Sequence, residues 1–345
     1  MKKSKKNYPP KKLNFLDKKS TDNFLSLISN ISNNRITIFL GSGLSGSVNL
    51  PTWKELLKTI CNIFLVHWFF EKDKNNEKFF IPPHKMSIAF TDVHEMLLTF
   101  EQREITENFL LNNPLLVAQQ IKNCIRPLDW KYLIRKSLYL RSQPPSRSDL
   151  TESLIKLIKN NSQKVKAIIN YNYDDTLESN LKEENIKFKV ISENYGMIHP
   201  KNLNIYHPHG YIPYQGGGQS ENFYLTEGEY SNNDFSVIDN IQLNYLFNSI
   251  CIFIGLSMID PHLRNLIRKV SSYSTKIHFA FINKNFNIST YEKMRQALFD
   301  KDLYRMKVKV IRYPIIKSDS NPFKRLPQLL DYLNHSIKDK SFIWV

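Results

Sequence analysis

Ile36-Thr37-Ile38-Phe39-Leu40-Gly41-Ser42-Gly43-Leu44-Ser45 is the stretch from which the fold can be read. Five consecutive apolar or β-branched residues with no turn signal fit a strand buried on both faces. Glycine ends it at once. A strand that runs through Gly-Ser-Gly into a helical pattern is the arrangement in which backbone N–H groups and a helix N-terminus receive a pyrophosphate. Gly41, Gly43 and Gly46 also satisfy G-x-G-x-x-G, a spacing that equally describes a glycine turn with no ligand. No acidic residue fills the ribose-binding place at the end of a second strand, which disfavours an ordinary hydride-transfer dehydrogenase.

Upstream, Phe24, Leu25, Leu27 and Ile28 have helical spacing, so a short helix is expected over Thr21–Ile31. Residues 1–20, rich in lysine and interrupted by Pro9-Pro10, are expected to form a flexible basic tail. Downstream, Thr52-Trp53-Lys54-Glu55 has capping-box spacing and starts another helix. From about 58 to 148 there is no strong strand, only helix-like patterns such as Met86–Phe109 and Pro114–Ile125. This reads as a helical insertion that ends at Pro144-Pro145-Ser146.

An α/β rhythm then returns. Strands are expected at Val165–Ile169, Phe188–Ser192, Leu203–His207, Ile250–Ile254, Ile277–Ile282 and Val308–Tyr313. Helices are expected at Leu150–Ile158, Asp174–Leu181, Phe235–Phe247, Asp260–Val270 and Thr290–Leu298, with a last one after Asn321-Pro322. The fold class is therefore α/β: a Rossmann-like, mostly parallel sheet with helices on both faces and a helical insertion, occupying residues 21–345 as one domain.

With 345 residues the chain can bury a sizeable core, and 41% hydrophobic against 23% charged residues excludes overall disorder. No apolar run approaches the roughly 20 residues needed to span a bilayer. The basic start lacks the apolar segment of a secretory signal, so a cytoplasmic protein without membrane contact is expected. Cys61, Cys124 and Cys251 are far apart and form no C-x-x-C pair, which argues against disulfides and zinc ribbons. A net charge of +16 invites direct nucleic-acid binding. The competing explanation is a lysine-rich composition spread along the chain.

Two more polar segments follow expected strands: Asn170-Tyr171-Asn172-Tyr173-Asp174-Asp175 and His207-Pro208-His209-Gly210. At the carboxyl edge of a parallel sheet both would meet a ligand. His207 and His209 form H-x-H, which on a strand would face one side as in some metal sites, but no third ligand is evident and no metal is expected. Asp174 and Asp260 each sit where a helix start would explain them equally well. Tyr173, Tyr195 and Tyr211 could stack on an aromatic ligand or simply fill core.

Taken in order, these segments resemble the sirtuin-like domains of bacteria. Gly41-Ser42-Gly43-Leu44-Ser45 and Leu50-Pro51-Thr52-Trp53 are similar to G-[AS]-G-x-S and the later G-[LI]-P-x-W. Asn170-Tyr171-Asn172-Tyr173-Asp174 resembles [TQ]-x-N-x-D, and His209-Gly210 resembles the H-G of the catalytic histidine. Phe253 to Asp260 resembles F-[IV]-G-x-S-x-x-D. Asn49 stands where the family has glycine, and the four-cysteine zinc ribbon of protein-deacylating sirtuins is missing. Zinc-free relatives in anti-phage systems are NAD hydrolases, so the resemblance implies NAD as substrate, no zinc, and an effector that depletes cellular NAD. Asn172 and His209 are then the expected catalytic residues. Gly41, Ser42, Gly43, Ser45, Asp174, Gly255, Ser257 and Asp260 are expected to bind the nucleotide.

Residue chemistry agrees with that expectation. Nicotinamide is already a good leaving group, so the enzyme must mainly orient a nucleophile and the ribose. A histidine can act as general base toward water or a ribose hydroxyl, and an asparagine amide can hold either without adding charge. Because the domain and its insertion use nearly the whole chain, homo-oligomerisation and activation in trans by an ATPase or nucleic-acid-sensing partner are expected. A non-catalytic module that senses NAD or ADP-ribose, or an NAD-dependent protein deacylase, are the alternatives.

Overall fold

The computed structural model describes residues 13–75, 113–139, 147–192, 201–215, 220, 223–231, 236–285, 289–315 and 324–338. The strands are β1 (Ile36–Leu40), β2 (Val165–Asn170), β3 (Phe188–Ile191), β4 (Leu203–Tyr206), β5 (Ile250–Ile254), β6 (His278–Asn285) and β7 (Val308–Ile315). The helices that precede the second strand are α1 (Lys18–Asn33), the single turn α2 (Gly43–Gly46), α3 (Trp53–Asn75), α4 (Pro114–Cys124), α5 (Pro127–Leu138) and α6 (Asp149–Asn160). Those that follow it are α7 (Thr176–Glu183), α8 (Glu227–Ser231), α9 (Val237–Asn248), α10 (Pro261–Ser271), α11 (Thr290–Arg305) and α12 (Arg325–Lys338).

The seven strands form one sheet in the order β3-β4-β2-β1-β5-β6-β7, and every recorded pairing is parallel. β1 lies at the centre, in register with both neighbours: Leu40 pairs with Asn170 on one side and Ile254 on the other. Its side chains alternate between two cores. Ile36, Ile38 and Leu40 join the face covered by α1, α6, α7 and α12, while Phe39 joins the face covered by α9, α10 and α11. Burial on both faces explains why this strand reads as an uninterrupted apolar run. The chain goes from β1 to β2 on one side and returns to β5 on the other. The gap between the carboxyl ends of β1 and β5 is thus a switch point, where folds of this kind open a crevice.

A third core joins α3, α4 and α5 through Leu56, Ile60, Val117, Ile121, Leu133 and their neighbours, with Tyr173 and Ile212 added from the sheet side. These helices are the described part of the expected insertion. Met86–Phe109 and Pro144-Pro145-Ser146 lie outside the described residues, as do Gly216-Gly217-Gly218, Tyr195 and Asn321-Pro322.

Some boundaries differ from expectation. α1 begins at Lys18 because the Asp17 side chain accepts from Ser20 N–H at 2.8 Å, and Leu13, Phe15 and Leu16 pack on the core. The expected tail to residue 20 is therefore structured from residue 13. α11 extends seven residues beyond the expected end at Leu298, to Arg305, and its exposed Tyr291, Met294 and Leu298 obscure the amphipathic period. Asn49 adopts φ 64°, the left-handed conformation that asparagine tolerates best after glycine, so the turn before Leu50-Pro51 forms without a glycine there.

Candidate active site

The loop after β1 is fastened to the end of β5. Gly41 N–H donates to Ile254 O at 3.0 Å and Gly43 N–H to Gly255 O at 2.9 Å. Gly255 has φ 69°. A Cβ on Gly41 would sit 2.5 Å from Leu256 Cδ2 and 2.7 Å from Gly255 O. The glycines thus let two backbones cross at contact distance. This corrects the expectation of a pyrophosphate cradle at Gly43: its N–H is committed to a protein carbonyl, and Gly43 does not line the cavity described next.

A cavity of about 290 Å³ opens at this switch point. One end is lined by Gly41, Ser42 and Ser45 from the β1 loop and by Gly255, Ser257 and Asp260 from the β5 loop. Asn172, Asp174 and His209 line it from the β2 and β4 sides, and Trp53, Leu56 and Leu138 supply an apolar wall from the helical insertion. Of the residues expected from the sequence to form a site, all except Gly43 are brought together here.

The loop from Tyr171 to Asp175 is tied down at nearly every residue. Tyr171 N–H donates to Leu40 O at 2.9 Å and its hydroxyl to Gln242 Oε1 at 2.5 Å. Asn172 N–H donates to Asn170 Oδ1 at 3.2 Å. Tyr173 O accepts from Ile212 N–H at 2.6 Å, and the Tyr173 hydroxyl donates to Tyr224 O at 2.7 Å. Asp174, 2% exposed, accepts from Ser45 Oγ at 2.5 Å and from Thr176 N–H at 3.0 Å. Burial raises the pKa of its carboxyl, against the pull of those two bonds. Asp174 therefore joins the β1 and β2 loops and precedes α7, which starts at Thr176, not at Asp174 as expected.

What remains after this bonding is informative. Asn172 and His209 are each 4% exposed, yet Asn172 Nδ2 and His209 Nε2 have no hydrogen-bond partner among the described residues. Leaving a buried polar atom unpaired costs about 1–3 kcal/mol, a cost that a bound polar ligand removes. His209 Nε2 faces Asp260 Oδ2 at 3.7 Å, and the ring stands edge-on to Tyr171 at a centroid distance of 4.6 Å. Burial pushes the His209 imidazole down to about 4, outweighing the nearby Asp260, Asp239 and Glu229 carboxylates. It is therefore neutral at pH 7, with a lone pair available to take a proton.

Asp260 has two duties. Its Oδ1 caps α10 by accepting from Leu263 N–H at 2.8 Å, and its Oδ2 accepts from the Tyr230 hydroxyl at 2.9 Å. Beyond it, His262 lies 3.1 Å from Asp239. Burial works against charge on His262, but the hydrogen bond to Asp239 and the charges of Asp239 and Asp260 prevail and raise it. Two histidines of one cluster are thus displaced in opposite directions. Tyr230 and His262 were not anticipated from sequence, because both look like ordinary helix-surface residues.

The H-x-H reading does not survive. β4 ends at Tyr206, and both ring nitrogens of His207 are engaged, with Asn172 O at 2.8 Å and Glu178 Oε1 at 2.9 Å. A different group, His209, Asp260 and His262, brings three ligand-type atoms within 4.8 Å of one another.

A parallel α/β sheet with a polar, partly unpaired cluster at its switch point defines a ligand-binding or catalytic domain of the Rossmann-like class. Within it, residues 166–303 match the family model described as SIR2-like domain. That match covers Asn172, His209 and Asp260 and stops short of the Gly41 loop. Among solved structures, similarity is found to a mutant Sir2 homologue in complex with ADP-ribose, at 10% identity over 93% of this chain and 98% of that one, with a TM-score of 0.39. It is also found to Sir2Tm bound to a propionylated peptide, at 9% identity over 92% and 99% of the two chains, with a TM-score of 0.36. A search of curated proteins returns no match.

Proposed function

We propose that this chain is an NAD hydrolase that cleaves the nicotinamide–ribose bond to give nicotinamide and ADP-ribose. The observation that carries the reading is the pair of buried, unpartnered atoms, Asn172 Nδ2 and His209 Nε2, in one cavity at the β1–β5 switch point. The SIR2-like match over this part of the chain supports NAD as the ligand.

Water attacks the anomeric carbon as the bond to nicotinamide breaks and its electron pair returns to the pyridine ring. The neutral imidazole of His209 takes the proton of that water. The Asn172 amide donates to the water or to a ribose hydroxyl, fixing the line of attack without a competing charge. Gly41, Ser42, Gly255 and Ser257 line the adjoining end of the cavity, where the remainder of the nucleotide would lie. Asp260 faces His209 and steadies the imidazolium once formed. The three cysteines, Cys61, Cys124 and Cys251, are unpaired and dispersed, and no zinc is invoked.

As a cellular role we propose an anti-phage effector that depletes NAD, working as a homo-oligomer switched on by an ATPase or nucleic-acid-sensing partner. The +16 charge suits docking on an acidic partner or nucleic acid. No described helix is long and apolar enough to cross a membrane. Cellular NAD measured after induced expression, with and without phage challenge, tests this role. An NAD level that never falls below that of a His209→Ala control contradicts it.

A further inference from the structure

Glu178 and His207 are 4% and 0% exposed, carry ionisable side chains, and touch no part of the cavity. A buried acid–base pair is a poor stabiliser, since apolar residues of the same size often serve as well or better. Here the pair is also incompletely satisfied: Glu178 Oε2 has no partner among the described residues. Its presence calls for another explanation.

The geometry supplies one. The chain of contacts runs from Glu178 Oε1 on α7 to His207 Nε2 at 2.9 Å, and from His207 Nδ1 to the backbone carbonyl of Asn172 at 2.8 Å. A carbonyl only accepts, so Nδ1 must carry a hydrogen. The contact between Nε2 and Oε1 holds one more hydrogen, on either side, and in both placements the pair is neutral overall. Tautomer and ring orientation are thereby set by the carboxylate, as in the carboxylate–histidine pairs that orient metal ligands. The end of the relay is a peptide carbonyl, which can neither be a nucleophile nor take a proton. On its other side, the Asn172 peptide is held by the Asn170 side chain. Both flanks of the residue are thus fixed, while its amide nitrogen has no partner among the described residues and the residue lines the cavity.

We propose that Glu178 and His207 form a buried positioning pair that fixes the Asn172 carbonyl, and through it the Asn172 amide, for catalysis. The catalytic part of this inference rests on the proposed hydrolase activity; the positioning part does not. Four readouts on the full chain separate them. In wild type, the ¹⁵N imidazole spectrum should show His207 bearing hydrogen on Nδ1; a bare Nδ1 overturns the proposal without any variant. The double variant Glu178→Met/His207→Phe replaces the pair by apolar groups of similar size and should keep Tm within a few degrees. Amide hydrogen exchange over residues 171–175 should quicken in it, whereas Glu178→Gln, whose amide can still meet Nε2, should retain wild-type exchange. For NAD hydrolysis the double variant should lose about 100-fold in kcat with KM little changed, the scale expected when a catalytic group is misplaced by about 1 Å. Unchanged exchange in the folded double variant overturns the positioning role. If wild type itself leaves NAD intact, the hydrolase reading fails while the exchange result still decides this one.

Discussion

Lowering the pH from 7 toward 4 should destabilise the protein in a way that can be traced to His209. Its ordinary imidazole value of 6.5 is pushed down to about 4 by burial. As pH falls, the unfolded chain binds a proton at this residue near 6.5 and the folded chain does not until about 4. Between these values the unfolded state holds more protons, so stability is lost as pH falls and levels off below the folded value. A gap of roughly 2.5 units at about 1.4 kcal/mol each gives about 3 kcal/mol. His278, also pushed to about 4 by burial, adds a parallel slope, so the comparison must be with a His209→Phe variant. Urea unfolding at pH 7.5 and 4.5 should show wild type losing about 2–3 kcal/mol more than the variant across that interval. Equal losses would refute the assignment of His209 as a buried neutral base. The same value puts the acid limb of the proposed NAD cleavage near pH 4, and a limb near 6.5 would contradict it.

Gly41→Ala places a methyl 2.7 Å from the Gly255 carbonyl, which cannot move aside as a side chain can; about 1–3 kcal/mol of stability should be lost, measured as a lower denaturation midpoint, with NAD turnover falling alongside. Tyr171→Phe leaves the buried Gln242 Oε1 without its donor and should cost about 1–3 kcal/mol by the same assay. Asp300 meets Arg312 at 2.6 Å with both side chains about nine-tenths buried, so Asp300→Ala should cost about 3–5 kcal/mol, and a change below 1 kcal/mol would show the pair to be dispensable. Burial pushes the Cys61 thiol up to about 12 and raises Cys251 as well. A thiol reagent at pH 8 should therefore label half-buried Cys124 first in the native protein, and labelling of Cys61 at an equal rate would contradict the packing of α3.

The central strands were legible because burial on both faces leaves a direct mark: β1 and β5 are unbroken runs of apolar or β-branched residues bounded by glycine or polar residues. The three polar strand ends were legible for the same reason, since a parallel sheet brings every carboxyl edge to one side. What sequence could not show was partnership. Asp174 reads as a helix-start residue until its bond to Ser45, 129 residues away in the chain, is seen. Glu178 looks like a solvated helix residue, and only the fold buries it against His207. Gly41 and Gly43 give the same pattern whether they cradle a phosphate or admit a crossing backbone, and the choice depends on β5. His262 follows Asp260-Pro261 at a helix start, where its spacing suggests nothing beyond a helix surface. The end of the basic tail was missed because Leu13, Phe15 and Leu16 are too few to show a period, although they suffice to anchor the chain on the core.

The most direct test of the central claim is the release of nicotinamide from NAD by purified protein, for wild type beside Asn172→Ala and His209→Ala. Wild type should release nicotinamide and ADP-ribose in equal amounts, with each variant slowed by about 100-fold or more. Variants that cleave NAD as fast as wild type, or a wild type that binds NAD and never consumes it, would contradict the account.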